Sequence, residues 1–345
     1  MFDITIILAI LIFALLIIVH EAGHMIAAKL CGVKVLEFAI GLGPVLFKKR
    51  IGETDFAIRA LPFGGQCAME GEDEDSDDER AFNNAAGWKR IIICVAGVAM
   101  NFVLGLMIIL CLYMPAKAFV TPQIDSFLEH FTGGGESGLR EGDIILKVDG
   151  YKVYQPGDIT IGFERGKNAP YYDVEVKRDG KRIKLDDVKI ELKEYIEDGQ
   201  STYLYGFMLS AKDATLGSKI SQSLKTSLNF VRLVYMGLGD MISGRVSLDE
   251  MSGPVGITAV LSDTAKKSMT TFWYLSALIA INLAVMNMLP IPALDGGRIV
   301  FILFEIITGK KTNKRIEGII HVIVLLALLG LMVLVTFNDI WKLVR

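Results

Sequence analysis

Two histidines four residues apart, His20 and His24, stand at the end of an apolar run, with Glu21 directly after the first. From Ile4 to Val19 only Thr5 interrupts the apolar character. A run of this kind continuing to Leu30 is long enough to cross a bilayer as a helix. It therefore places three ionisable side chains at membrane depth, where such groups are costly and by default functional. On a helix, residues four apart share a face, so both imidazoles can point at one metal ion. A glutamate one position after the first histidine can then take a proton from water at that metal. At 1.5 Å per residue, His20 lies ~24 Å along the helix from Ile4, toward its far end.

Composition supports a chain with several spans. Of 345 residues, 52% are hydrophobic, and the mean hydropathy is +0.45, too apolar for an ordinary soluble enzyme. The net charge of −3 offers no basic field and argues against a nucleic-acid partner. Cys31, Cys67, Cys94 and Cys111 show no C-x-x-C spacing, so neither a zinc ribbon nor a redox pair is suggested. The first span lacks a basic leader and reads as retained rather than cleaved.

In chain order, residues 1–30 form the first span, and residues 31–90 form a polar insert. Val33 to Phe47 and Asp55 to Leu61 read as a short β-meander or hairpin pair, with Pro62-Phe63-Gly64-Gly65 as a turn. Eight of the ten residues from Glu70 to Glu79 are acidic, which fits a solvated loop. Residues 91–114 form a second span. Its Asn101, flanked by Gly97 and Gly105, is either glue between helices or a substrate contact. Residues 115–213 are soluble in character, with strands near Ile144, at Tyr172 to Lys177 and at Val188 to Leu192. Residues 214–258 hold an amphipathic helix, Leu216 to Ile242, lying on the membrane or against the core, and then a tight turn at Ser252 to Ile257.

A third span, residues 270–308, is broken in the middle. Asn287 is followed within ten residues by Pro290, Pro292, Asp295, Gly296 and Gly297. Broken backbone at membrane depth survives only where protein or water satisfies it. Asp295 is the third ligand that a pair of histidines lacks, or else a cap for the helix that follows. Residues 318–338 form a fourth span, whose His321 reads as interfacial. Lys48, Lys49, Arg50, Lys89 and Arg90, and later Lys310, Lys311, Lys314 and Arg315, put both of their loops in the cytoplasm. The 115–257 region then lies outside, and the active site faces the cytoplasmic side.

His20-Glu21-xx-His24 together with Asn287-xx-Pro290-x-Pro292-x-Leu294-Asp295-Gly296 resembles the site-2 protease family of intramembrane zinc proteases, nearest in layout to the bacterial regulator-of-sigma-E branch. Phe38-x-Ile40-Gly41-Leu42-Gly43-Pro44 and Pro62-Phe63-Gly64-Gly65 resemble that family's membrane-reentrant β segment. Gly138-Leu139-xx-Gly142-Asp143 with Val148-x-Gly150 resembles its inserted PDZ domain. A Gln, Gln66, stands where the family usually has an aromatic after the Gly-Gly pair. Tyr205-Gly206-Phe207 is the candidate carboxylate loop, in a permuted arrangement.

The resemblance implies a polytopic α-helical protein of about four spans in the bacterial inner membrane. It would carry a cytoplasmic-side β insert and an extracytoplasmic α+β PDZ-like domain. Zn²⁺ would be held by His20, His24 and Asp295, with Glu21 as the catalytic base. Asn287, Gly64, Gly65 and Asn101 would contact the substrate. The reaction would be hydrolysis of peptide bonds within transmembrane segments, of anti-sigma factors or remnant signal peptides for example. Partners would be such substrates, the lipid bilayer, and peptide or protein C-termini at the PDZ-like domain. A metal-ion transporter and a noncatalytic membrane scaffold are the rival readings. The first is opposed by Glu21 in the H-E-x-x-H register, the second by the presence of both Glu21 and Asp295.

Overall fold

The computed structural model describes residues 4–72, 74, 76–129, 131–135, 138–197, 200–245, 252–310, 312 and 314–344. Asp73 and Asp75 of the acidic run, and Lys311 of the late basic loop, lie outside the described residues. The chain divides into two units, Met1–Leu112 with Phe230–Arg345, and Tyr113–Asn229.

The first unit carries the long apolar helices. Among the described residues, four helices are long and apolar enough to cross a membrane: α1 (Ile4–Cys31), α2 (Gly87–Tyr113), α6 (Met269–Asn287) and α8 (Lys314–Val344). α8 is exposed along nearly its whole length, as a helix in contact with lipid would be. This unit also holds the shorter helices α5 (Pro254–Lys267) and α7 (Asp295–Thr308). α5 packs against α1 and α6 through Leu261, Ile12, Leu16 and Phe272. The break after α6 lies where the prolines require it, and α6 and α7 are separate helices.

Two expected turns need correction here. Ser252 to Ile257 is not a tight turn. Pro254 sits at the first position of α5, where its missing N–H costs nothing and its fixed φ favours the helix. The turn expected at Pro62 to Gly65 is strand. β1 (Val35–Ile51) and β2 (Thr54–Met69) form one long antiparallel ribbon. The ribbon is folded on itself, since Ile40 faces both Gly65 and Ile58. Gly41, Gly43 and Gly64 have φ of +87°, +86° and +85°, the left-handed backbone such bends need. The amphipathic helix expected at Leu216 to Ile242 is α4 (Leu216–Ile242). Its apolar stripe does not face the core: Leu216, Ile220, Leu224, Leu228 and Tyr235 are exposed, while Ser223, Thr226, Ser227 and Phe230 are buried. Of the two placements open to this helix, the stripe fits membrane contact.

The loop after the ribbon is tied back to its start. Lys34 Nζ lies 3.2 Å from Glu70 and 3.1 Å from Asp78. A hydrogen bond from Ser76 and the Lys34 ammonium hold the Glu70 carboxyl below its ordinary range. Part of the acidic run is thus folded around one lysine rather than freely solvated.

The second unit has its own core. Its sheet runs in the order β10 (Phe207–Asp213), β3 (Ala118–Phe127), β4 (Ile144–Val148), β6 (Tyr171–Arg178), β7 (Lys181–Lys189), and the short β5 (Tyr151–Lys152) pairs with β4. α3 (Gly157–Arg165) covers it through Ile159 and Phe163, which meet Ile145, Val148, Val174 and Val176. β8 (Lys193–Glu197) and β9 (Gln200–Leu204) form a separate hairpin. The strand expected at Val188 to Leu192 is instead the end of β7, which stops at Lys189. Asp143, fully buried, is held by Arg178 through bonds of 2.8 and 2.7 Å. A buried carboxylate requires such a partner.

Candidate metal centre

α1 and α2 cross closely because each offers a glycine. A methyl group built on Gly23 would lie 2.5 Å from the Ala96 carbonyl oxygen, and one on Gly97 would lie 2.3 Å from His24 Nε2. Small residues allow this approach in a membrane, where dispersion and polar contacts bring helices together. The buried face of α1 thereby turns His20 and His24, each 8% exposed, toward α2. Two features direct the loop and α7 inward. Ala293 adopts φ +79°, unusual for a residue with a side chain. Gly296 and Gly297 lie beneath the carbonyls of Leu289 and Ile291, where a methyl group would come within 2.3 Å. α7 begins at Asp295 with Leu294 as its N-cap, and no side chain caps it. Asp295 points instead at the histidines, and the start of a helix is a favourable place for its negative charge.

The result is a triangle of ligand atoms. His20 Nε2 lies 3.1 Å and His24 Nε2 3.4 Å from Asp295 Oδ2, and the two Nε2 atoms are 3.2 Å apart. Four ligands held tetrahedrally at about 2.0–2.1 Å from zinc stand about 3.3–3.4 Å from one another. Asp295 Oδ2 is buried and makes no hydrogen bond of acceptable geometry despite these neighbours. A buried acceptor left this way costs about 1–3 kcal/mol. A cation held by these three atoms would remove that cost. The opposite nitrogen of His24 shows the same design: Nδ1 lies 2.8 Å from the Ile93 carbonyl oxygen, to which it donates, leaving Nε2 with a lone pair for a metal. Among the described residues, His20, His24 and Asp295 are the cluster suited to a metal ion.

Glu21 lies beside the triangle. Cys67 of β2 lies next to it in the same cavity wall. Gly65 brings β2 against it, since a methyl group there would lie 2.9 Å from Glu21 Cγ and 2.8 Å from Ile17 Cγ2. The stretch Gly65 to Met69 pairs with β1 along one edge. Its other edge, unpaired with any strand among the described residues, borders a cavity of about 290 Å³ that also contains His20, Glu21, His24 and Asn287. Glu72 takes the Met69 amide on that edge and forms an ion pair with Arg298.

The expected site residues divide as follows. His20, Glu21, His24, Gly65 and Asn287 come together, with Asn287 Nδ2 3.5 Å from His20 Nε2. Gly64 serves as the bend before the edge strand. Asn101 is fully buried behind His20 and is not in the cavity wall, so direct contact with a substrate there is not available to it. His321 of α8, read as interfacial, lines the same cavity. Arg298, Glu72 and the Ile93 carbonyl were not anticipated. Arg298 stands three residues after Asp295 on α7, and that spacing is the signal that could have marked it. A backbone carbonyl carries no signal in the residue type.

The glycine at 97 allows a direct check. Gly97→Ala drives a methyl into the His24 ring, and zinc per chain and cleavage should both fall by ~10-fold or more. Gly330→Ala, whose methyl meets nothing within 4 Å, should leave both unchanged. Normal zinc content in Gly97→Ala would mean that the α1–α2 approach does not position the ligand.

Known proteins place this architecture. The family model "Peptidase family M50" matches residues 8–331. A protein of Clostridium perfringens named as a zinc metalloprotease is 36% identical over 337 residues, covering 97% of this chain and 98% of its own. A protein of Fusobacterium nucleatum with a similar name is 33% identical over 351 aligned residues, covering 98% and 99%. The regulator of sigma-W protease of Bacillus subtilis is 28% identical over 427 aligned residues, covering 99% and 100%, so it carries insertions that this chain lacks. With four helices apolar enough to cross a membrane, a ligand triangle whose two histidines lie on the first of them and a family match across nearly its whole length, this chain belongs to peptidase family M50, the site-2 proteases, as a multi-pass membrane zinc metallopeptidase.

Proposed function

We propose that this chain hydrolyses peptide bonds within transmembrane segments of single-span membrane proteins. The observation that carries the reading is the convergence of three ligand atoms, a glutamate and an unpaired strand edge in one cavity. His20, His24 and Asp295 would hold zinc, whose Lewis acidity brings the ionisation of water toward neutral pH. Glu21, packed against Gly65 of β2, accepts a proton from the attacking water and gives it to the departing amine. The water oxygen bonds to the carbonyl carbon as the carbon–nitrogen bond breaks. Asn287, beside the ligand atoms, is suited to hold the carbonyl of an unwound substrate.

A helix hides its peptide bonds in its own hydrogen bonds, so a substrate must be extended locally before it is cut. The edge from Gly65 to Met69 supports extension by strand addition, with Gly64 supplying the bend that sets its direction. Addition there exchanges the Glu72 contact to the Met69 amide for a substrate carbonyl. The second unit, whose sheet is covered by α3, supports the reading as a PDZ-like domain able to hold peptide C-termini. The Bacillus subtilis relative is named for sigma-W regulation. By analogy, the substrates here are anti-sigma factors or remnant signal peptides. In cells carrying Glu21→Gln, membrane-bound stubs of single-span proteins should accumulate relative to wild type. Identical fragment patterns would contradict the reading.

The basic loops support a cytoplasmic-facing site in the bacterial inner membrane, with the second unit outside. Cys67 is buried beside Glu21 and would resist labelling on either side of the membrane. Exposed Lys49 and Lys181 serve better. In a cysteine-free background, Lys49→Cys should resist an impermeant thiol reagent in intact cells, and Lys181→Cys should react. The reverse pattern would invert the orientation.

A further inference from the structure

We propose that Asn101 is a positioning residue for the metal ligand His20, through a hydrogen bond from the histidine's outer ring nitrogen. The inference rests on the zinc-centre reading above. Three observations carry it. First, the register of α1 against α2 is specific. His24 meets Gly97, and His20, four residues earlier, meets Asn101, four residues later. Gly97 gives one histidine room, and Asn101 gives the other a polar neighbour at the same depth. Second, Asn101 is fully buried, its Nδ2 lies 3.5 Å from His20 Nδ1, and its carbonyl Oδ1 has no partner among the described residues. The two ends of a side-chain amide are assigned from their surroundings. Turning the amide over gives Nδ1–H an oxygen to donate to and moves the Nδ2 donor to the position that Oδ1 holds. Third, His24 already has this arrangement, its Nδ1 at 2.8 Å from the Ile93 carbonyl. With Asn101 turned, both histidines present Nε2 toward Asp295 and donate from Nδ1. Helix α2 then anchors both rings, one by its backbone and one by a side chain.

The alternative is that Asn101 only joins helices. The two roles separate in zinc affinity. Full-length protein in detergent would be titrated with zinc against a chromogenic chelator, for wild type, Asn101→Leu, Asn101→Val and Asn101→Asp. Circular dichroism would admit only variants with wild-type helix content. Leu and Val fill the space without an acceptor, and loss of an outer partner to a metal-bound histidine weakens metal binding by ~10–100-fold. Asp restores an acceptor and should bind zinc within about threefold of wild type, because carboxylate–histidine–zinc arrangements work in this way. Cobalt-substituted Asn101→Leu should also show an altered visible spectrum, which a role in helix packing alone would not produce. Wild-type zinc affinity in whichever apolar variant folds would overturn the inference, as would an Asp variant as weak as Leu. Absence of zinc binding in the wild type would instead contradict the metal-centre reading itself.

Discussion

Replacing Glu21 with Gln should leave about one zinc per chain in place while slowing cleavage of a single-span test substrate by ~10²-fold or more. Gln has nearly the size of Glu and keeps the methylene that Gly65 packs against, so β2 should keep its position against α1. Only the capacity to take a proton is lost. Glu21 also stands apart from the ligand triangle, so metal should remain. Purified protein in detergent or lipid, assayed for zinc and for product in parallel, separates the two effects. Near-normal turnover would remove Glu21 from its role as base, and simultaneous loss of zinc would make it a ligand.

The second large effect concerns the triangle itself. His24→Ala, His20→Ala or Asp295→Ala should each lose zinc, with cleavage falling to background. The three atoms stand 3.1, 3.4 and 3.2 Å apart, and removing any one leaves two ligands, too few to hold zinc firmly. His321→Ala should keep both zinc and activity. His321 borders the cavity but does not belong to the ligand cluster. Full zinc occupancy in His24→Ala, or loss of zinc in His321→Ala, would require a different ligand set.

Much of this centre is legible in the amino-acid sequence, because its signals are local. His20 and His24 on an apolar helix state their shared face directly, and two prolines shortly before Asp295 force the helix break that delivers it. The less legible parts depend on distant partners. Gly64 and Gly65 read as a turn, yet they continue β2, because Gly65 is needed where the strand lies on Glu21 and Ile17. Gly253-Pro254 also reads as a turn, although proline starts helices as readily as it ends them. The apolar stripe of α4 is plain in the sequence, but periodicity cannot say whether it faces protein or lipid. Asn101 is the sharpest case. Its side chain gives equal reason for a substrate contact and for a packing role, and only the α1–α2 register places it behind His20.

Zinc-edge X-ray absorption of the purified full-length protein tests the central claim most directly. Cys67 and Cys94 line the same cavity as the triangle, so a sulfur ligand is the concrete rival. The account predicts only nitrogen and oxygen neighbours, at about 2.0–2.2 Å, with an imidazole contribution matching two histidines. A sulfur shell at about 2.3 Å, or a spectrum unchanged by Asp295→Ala, would contradict it.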